Sequence, residues 1–277
     1  MSPPVAISYY QVVLAALLIL INGGISALLG LNLGRRLFLA AACTVIQLLL
    51  IGAVLEWVFR LNRWYIVVGL MLCMTLIGGT VSLKRVHFRY PGIWLNSLVS
   101  VWASSWLMAA VAIFVIVPAR PWYSPQYAIP LLGMILGNTL NGISLGLDRL
   151  GSELSAKRGQ VETLLALGAT RWEAARQPVQ QAVRTGMIPL INSMMVVGIV
   201  SLPGMMTGQL LVGVSPLQAV RYQIVIMFLI ASGTALGTVG VVLLSYRRLF
   251  NSSHQFLYQL INVQEEATDR GRSPLSK

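Results

Sequence analysis

The sequence predicts an all-α protein, a polytopic bundle of about seven membrane-spanning helices. Hydrophobic residues make up 56% of the 277 residues, and charged residues make up only 10%. Soluble domains carry about 25% charged residues, and the mean hydropathy of this chain is +0.75. The apolar residues form long runs, and about 20 apolar residues suffice to cross a bilayer as a helix. The lipid bilayer is therefore the first expected partner, and we expect a multi-pass protein of the cell inner (plasma) membrane.

Seven apolar runs, separated by basic or turn-forming residues, are the predicted spans. They cover residues 7–33, 37–59, 64–83, 93–117, 127–147, 187–200 and 222–246. The sixth run would rise only ~21 Å as a helix, which is short of a hydrocarbon core of ~30 Å. Two interpretations of this run stay open. Its helix begins within the preceding polar segment, or the apolar residues 201–216 dip back into the membrane.

The basic residues set the predicted orientation. With the N-terminus outside and the C-terminus in the cytoplasm, sixteen of the 20 Lys and Arg residues fall on the cytoplasmic side. Cytoplasmic loops of membrane proteins carry such an excess of positive charge. Topology thereby accounts for the formal net charge of +12, and nucleic acid is not expected as a partner.

The chain divides into a membrane domain, residues 1–250, and a polar cytoplasmic tail, residues 251–277. Within the domain, the charged and helix-prone segment of about 148–185 is predicted to form a cytoplasmic hairpin. Glycines four residues apart (G-x-x-x-G) let helices approach closely, and such pairs occur at Gly133 and Gly137, Gly142 and Gly146, and Gly233 and Gly237. Two of the pairs lie on the fifth span, which is predicted to be the central helix.

An uncharged segment after the sixth run is the candidate outer gate, or outer wall, of a transport path. Its Pro and Gly residues interrupt any helix, and non-helical backbone at membrane depth is tolerated only where it is buried in protein or lines a cavity. Two amides elsewhere in the spans are candidates to face the same path, because a buried amide needs a partner or water. The candidate path residues are Gln47, Asn138, Ser201, Pro203, Gly204, Met205 and Met206. The alternative is a simple extracellular loop that caps the bundle.

Motifs for catalysis and nucleotide binding are missing from the sequence. It contains no G-x-x-x-x-G-K-[ST] phosphate loop and no zinc or nucleophile motif, so the chain is not expected to be an enzyme or to hold a cofactor of its own. The spans carry no Asp or Glu at mid-membrane, where proton- and sodium-coupled carriers keep ionisable residues. A secondary carrier or channel is therefore the less favoured transport alternative, and a receptor or scaffold comes third.

The stretch from Glu162 to Thr170 resembles the E-A-A-x-x-x-G signature of ABC importer permeases, although Thr and Leu replace the two alanines. A short helix that ends at a glycine, where a positive φ is cheap, would be followed by a second helix that returns to the membrane. The resemblance implies that this hairpin seats in a groove on a separate ATPase. The implied coupling residues are Glu162, Leu165, Gly168, Ala169 and Thr170. The plain alternative is an amphipathic cytoplasmic hairpin.

Short motifs over nearly the whole chain resemble one transporter family. They are Ile46-Gln47-Leu48, Ile129-Pro130 with Gly133, Gly137 and Asn138, Leu167-Gly168-Ala169-Thr170, Ser201-Leu202-Pro203-Gly204-Met205-Met206 with Gly208, Tyr222-Gln223-Ile224, Tyr246-Arg247, and Asn251 with His254-Gln255. In these motifs the chain is similar to the Fet-type iron-export ABC permease family, which includes plant aluminium-tolerance permeases. The run from Ser201 to Met206 is the most specific of them, and the first span matches poorly.

The resemblance implies a permease that pairs with an ABC ATPase subunit, as two copies of each, so this chain is expected to form a homodimer. ATP and Mg would then be bound by the partner. Bacterial members are associated with iron efflux and oxidative-stress resistance, and plant relatives with UDP-glucose export. The cargo thus stays open between iron, another metal, a chelate and a nucleotide sugar.

The residues of the spans assign no metal ligands. Iron favours carboxylate, imidazole and water, whereas the candidate ligands in and beside the spans include the sulfur-bearing side chains of Cys43, Cys73, Met194, Met195, Met205 and Met206. A chelated metal, weak transient sites or a non-metal cargo fit these residues better than a bare iron ion in an all-protein cage.

Overall fold

The computed structural model describes residues 8–30, 33–84, 86, 88–117, 120–251 and 253–263. The helices are α1 (Tyr9–Leu28), α2 (Gly34–Leu61), α3 (Trp64–Lys84), α4 (Ile93–Val111), α5 (Pro125–Ala156), α6 (Arg158–Ala166), α7 (Arg171–Val196), α8 (Gly204–Leu211) and α9 (Pro216–Leu249). A π-helical turn, Ala112–Ile116, extends α4, and a 3-10 turn covers Tyr258–Leu260. Two strands of two residues, β1 (Phe88–Arg89) and β2 (Asn262–Val263), pair antiparallel.

The predicted all-α fold class is confirmed, and the chain is a polytopic helical membrane protein. In the described ranges, six helices are long and apolar enough to cross a membrane: α1, α2, α3, α4 with its π-turn, α5 and α9. The predicted sixth span, residues 187–200, is not among them. Its residues up to Val196 form the C-terminal part of α7, whose N-terminal part is polar. The orientation relative to the membrane stays a prediction.

Helix α5 is the centre of the bundle, as the paired glycines predict. It packs against α3, α4, α7 and α9. A Cβ added at Gly142 would meet Thr234, Thr238 and the Gly186 carbonyl, and one added at Gly146 would meet the Ala182 carbonyl. As the residue numbers of these contacts increase along α5, the residue numbers of their partners on α7 decrease. The two helices are therefore antiparallel.

Helix α9 runs parallel to α5. A Cβ at Gly233 would meet Ile135, and a Cβ at Gly237 would meet Thr139 and Ile143, so positions rise together along both helices. Since α5 and α9 run in the same direction, the chain crosses back through the bundle along α7, which lies between them in sequence.

The course of α7 explains the short sixth run. The helix contains 26 residues and begins at Arg171, so it is about 39 Å long. It therefore starts within the polar segment, as the first of the two sequence interpretations has it. The chain then leaves helical conformation until α8 begins at Gly204, and the depth of α8 in the membrane stays a prediction.

The first two helices stand apart from the bundle. Helix α1 packs on α2, and α2 reaches α5 while burying only Val58 of its described residues. The N-terminal arm of the fold is thus a helical hairpin whose apolar surface faces outwards.

Candidate transport cavity and coupling hairpin

Two adjoining cavities lie where α7 ends. The first, which we call the α5 cavity, has a volume of about 270 Å³ and is bounded by α5, α7, α9 and the start of α8. The second, the α8 cavity, has a volume of about 400 Å³ and is bounded by α7, α8 and α9. Val197, Leu202, Gln223 and Met227 line both cavities. Small-molecule sites have volumes of roughly 300–1,000 Å³, so the two together are large enough for a small solute.

The structure brings together all of the predicted path residues except one. Asn138, Ser201, Pro203, Gly204 and Met205 line the α5 cavity, and the neighbouring methionine at position 206 lines the α8 cavity. Their role in transport stays a prediction, but their proximity is a structural fact.

Gln47 lies elsewhere, exposed on α2. The prediction assumed that an amide in an apolar run faces the bundle interior. Helix α2, however, makes few contacts with the rest of the chain. The Gln47 amide therefore does not face the cavities.

The loop between α7 and α8, residues 197–203, forms the wall shared by the cavities. Its turn depends on Gly198, which has φ +83°, a conformation that other residues rarely adopt. The Gly198 N–H donates to the Ser201 carbonyl at 2.9 Å, and Ile199 and Val200 at the tip are 87% and 80% exposed. The backbone is thus non-helical here but tied by its own hydrogen bond.

Gln223 and Ser193 also line the α5 cavity, although neither is among the path residues predicted from the sequence. Gln223 is buried, and its Oε1 has no hydrogen-bond partner among the described residues. The available signal was an amide inside the apolar last span, the same signal that drew attention to Gln47.

At the other end of α7, the predicted hairpin is present as α6, a tight turn and α7. Gly168 has φ +90°, as the sequence predicts, and open space surrounds the position of its missing Cβ. The Ala169 N–H donates to the Leu164 carbonyl at 3.0 Å and closes the turn. Thr170 caps α7, since its hydroxyl accepts a hydrogen bond from the Glu173 N–H.

The Glu173 carboxylate completes a capping box at the start of α7. Its Oε2 accepts hydrogen bonds from the Thr170 backbone N–H at 2.7 Å and from the Thr170 hydroxyl at 2.8 Å. Because the charged form accepts these bonds, they hold the pKa of Glu173 below its usual value.

Two predicted coupling residues are in part engaged within the hairpin itself. Glu162 forms an exposed ion pair with Arg158 at 2.7 Å, and Leu165 is half-buried against the core. The most exposed apolar residue of the hairpin is Leu167, at 80%, and Trp172 follows at 44%. Because Leu167 is the more exposed of the two and lies at the turn itself, it is the stronger contact candidate.

The start of the predicted polar tail has a defined structure. Residues 253–263 fold back on the hairpin. The ring of Phe256 stacks on that of Phe250 with centroids 4.9 Å apart, and the Arg171 backbone N–H donates to His254 Nδ1 at 2.9 Å. Strand β2 then pairs with β1, which precedes α4. The rest of the predicted tail lies outside the described residues.

An interrupted helix beside a neutral cavity, together with six apolar spans, defines a polytopic helical membrane protein with a candidate solute path. The chain belongs to the uncharacterised protein family UPF0014, whose model matches residues 9–250.

Three relatives show the breadth of the similarity. The UPF0014 membrane protein slr1647 of Synechocystis sp. is 42% identical over 82% of this chain and 88% of its own length. The probable iron export permease protein FetB of Escherichia coli is 29% identical over 88% of this chain and 93% of its own length. Protein ALUMINUM SENSITIVE 3 of Arabidopsis thaliana is 28% identical over 81% of both chains. No solved structure matches the chain.

Proposed function

We propose that this chain is the membrane-spanning permease subunit of an ABC exporter in the cell inner membrane. It moves iron, a metal chelate or another small solute out of the cytoplasm, and a separate subunit hydrolyses ATP. The name of the Escherichia coli relative, a probable iron export permease, supports iron as the first cargo to test. Because ABC transporters need two membrane halves and this chain supplies one, the working complex contains two copies of each subunit.

The observation that carries the proposal is the continuity of α7. One helix extends from the exposed hairpin turn, where Thr170 caps it, to the α5 cavity, where Leu190 and Ser193 form part of the wall. The distance along the helix from Thr170 to these wall residues is about 30–35 Å. A force applied by a partner at the turn therefore reaches the cavity through a single element.

The turn is suited to contact with a partner protein. Its exposed leucine has no cover within the described chain, and burial of a leucine side chain in an interface contributes about 1.5–3 kcal/mol. Polar groups lie on the preceding segment: an exposed ion pair between Arg158 and Glu162 on α6, and a pair between Lys157 and the buried Glu153 at the end of α5. An apolar contact with a polar rim is the usual anatomy of a protein interface.

Replacing Leu167 with serine should weaken binding of the ATPase about 30-fold, since a central apolar contact contributes about 2 kcal/mol. The matched control is Leu217→Ser, which alters a leucine that is 75% exposed at the start of α9, far along the chain from the hairpin. Binding is measured by co-purification and titration with the partner ATPase. Equal affinity of the two variants would contradict the coupling role of the turn.

Transport itself is measured in proteoliposomes that contain the permease and the ATPase. Labelled iron should accumulate only when ATP and both subunits are present. Accumulation that persists without the ATPase would instead identify a secondary carrier or channel.

A further inference from the structure

Gln223 is a buried side chain whose amide oxygen has no hydrogen-bond donor within the described chain. It is 7% exposed, and its Oε1 accepts no hydrogen bond from any described residue. A buried acceptor without a donor costs free energy, so such groups call for an explanation in terms of water, strain or a ligand. The side chain also occupies a distinctive place, because it lines both the α5 cavity and the α8 cavity.

The surroundings of this amide are neutral and of mixed polarity. The polar side chains that line the α5 cavity with it are Asn138, Ser193 and Ser201. The remaining lining of both cavities is aliphatic, aromatic, thioether, proline or glycine. Amide and hydroxyl groups can hydrogen-bond a solute but do not neutralise an ion, and an ion buried among neutral groups pays a large desolvation cost.

We infer that Gln223 binds the cargo directly, through a hydrogen bond that its Oε1 accepts from an O–H or N–H group of a solute without net charge. This inference rests on the proposed function. If the metal transported is iron, it crosses as a neutral chelate that carries hydrogen-bond donors, and the bare ion is not the transported species.

Two iron chelates that differ in one feature test the inference. Tris(acetohydroxamato)iron(III) is neutral and keeps an N–H on each ligand, whereas the N-methylacetohydroxamate complex is equally neutral and has a methyl group there. Binding of each, with labelled iron, is measured by equilibrium dialysis against the purified permease in lipid nanodiscs, without ATPase or ATP. We expect the N–H complex to bind about tenfold more tightly, which is the scale of one hydrogen bond to a buried acceptor.

The matched variants are Gln223→Leu and Gln209→Leu. Gln209, on α8, also has a buried Oε1 without a partner in the described residues, but it does not contribute to the lining of either cavity. The first variant should bind both chelates equally, and the second should keep the tenfold preference. Equal or absent binding of the two chelates by the unaltered protein would overturn the inference, as would a preference that survives in Gln223→Leu.

The proposed function fails by a different result. If chelate binding follows Gln223 but no iron accumulates in the proteoliposomes with ATP and the ATPase, the binding site stands and ATP-driven export is wrong. If iron accumulates with ATP but equally from both chelates, export stands and the role of Gln223 is wrong.

Discussion

The crossing of α5 and α7 is so close that a single added methyl group should disturb it. A Cβ at Gly186 would lie 2.6 Å from the Gly142 carbonyl oxygen and 2.7 Å from Cγ2 of Thr238. Ordinary contacts begin at 3.4 Å, so the helices must separate by about 0.8 Å at this point. The obstacle is backbone that cannot rotate away, and overpacking of this kind costs about 1–3 kcal/mol. We expect Gly186→Ala to lower the free energy of unfolding by about 2 kcal/mol.

The assay is thermal unfolding of the detergent-solubilised protein, followed by tryptophan fluorescence. The control is Gly137→Ala on α5, where no atom lies within 4 Å of the added Cβ and where alanine is favoured over glycine by about 1 kcal/mol in a helix. The control should unfold at the temperature of the unaltered protein or above it. If Gly186→Ala is as stable as this control, the close crossing does not exist and the antiparallel packing of α7 on α5 is wrong.

Three further outcomes are expected at the hairpin end of the bundle. Gly168→Val should abolish ATPase coupling without preventing insertion, because a β-branched residue at φ +90° is strained by about 1–3 kcal/mol. The control is Gly159→Val, which lies in open space on α6 and should leave coupling intact. Acidification should release the cap of α7. Because the pKa of Glu173 is depressed, the cap contributes fully above the ordinary carboxyl pKa and is lost as the pH falls through the depressed value. The protection factor of the Thr170 amide, which is the intrinsic exchange rate at each pH divided by the observed rate, should therefore fall there and stay constant between pH 6 and 8. Tyr258→Leu removes a ring 4.2 Å from the Arg158 guanidinium, and protease cleavage within residues 251–263 should become faster because about 0.5–1 kcal/mol of cation–π attraction is lost.

The parts of the fold that the sequence predicts are those that a local pattern specifies. Apolar runs specify helices in lipid because every backbone group must be paired within its own segment. The paired glycines specify the central helix, since only glycine at Gly142 and Gly237 avoids a clash with the neighbouring helix. The turn at Gly168 depends on its own φ and on bonds within five residues, so it can be predicted without knowledge of the rest of the chain.

The start of α7 could not be placed from hydropathy. Its first half is polar because it lies in the hairpin, and its second half is apolar because it borders the cavity, so a search for one apolar run divides a single helix into a loop and a short span. Periodicity also does not distinguish exposure in water from exposure in lipid. Leu165 and Leu167 are alike in sequence, but only the second is largely exposed.

The fold of the tail depends on partners distant in sequence. Phe256 and Ile261 are apolar positions within a polar stretch, and their packing surfaces come from α9 and from the loop that precedes α4. The hydrogen bond from the Arg171 N–H to His254 spans 83 residues. Composition alone therefore favours a polar tail, because the residues that cover its apolar side chains cannot be recognised from the tail itself.

The position of the close crossing along α7 determines how motion at the hairpin would reach the cavity. Gly186 lies about 24 Å along the helix from Thr170 and about 16 Å from Val197. If the crossing is the pivot, a displacement at the turn produces a movement about two-thirds as large at the cavity wall, in the opposite direction. Pro189 lies between the crossing and the wall and lacks the N–H that would bond to the preceding turn. Bending at Pro189 would reduce the motion that α7 transmits. The remaining motion would move the loop that contains Gly198, which lies in the wall shared by the two cavities.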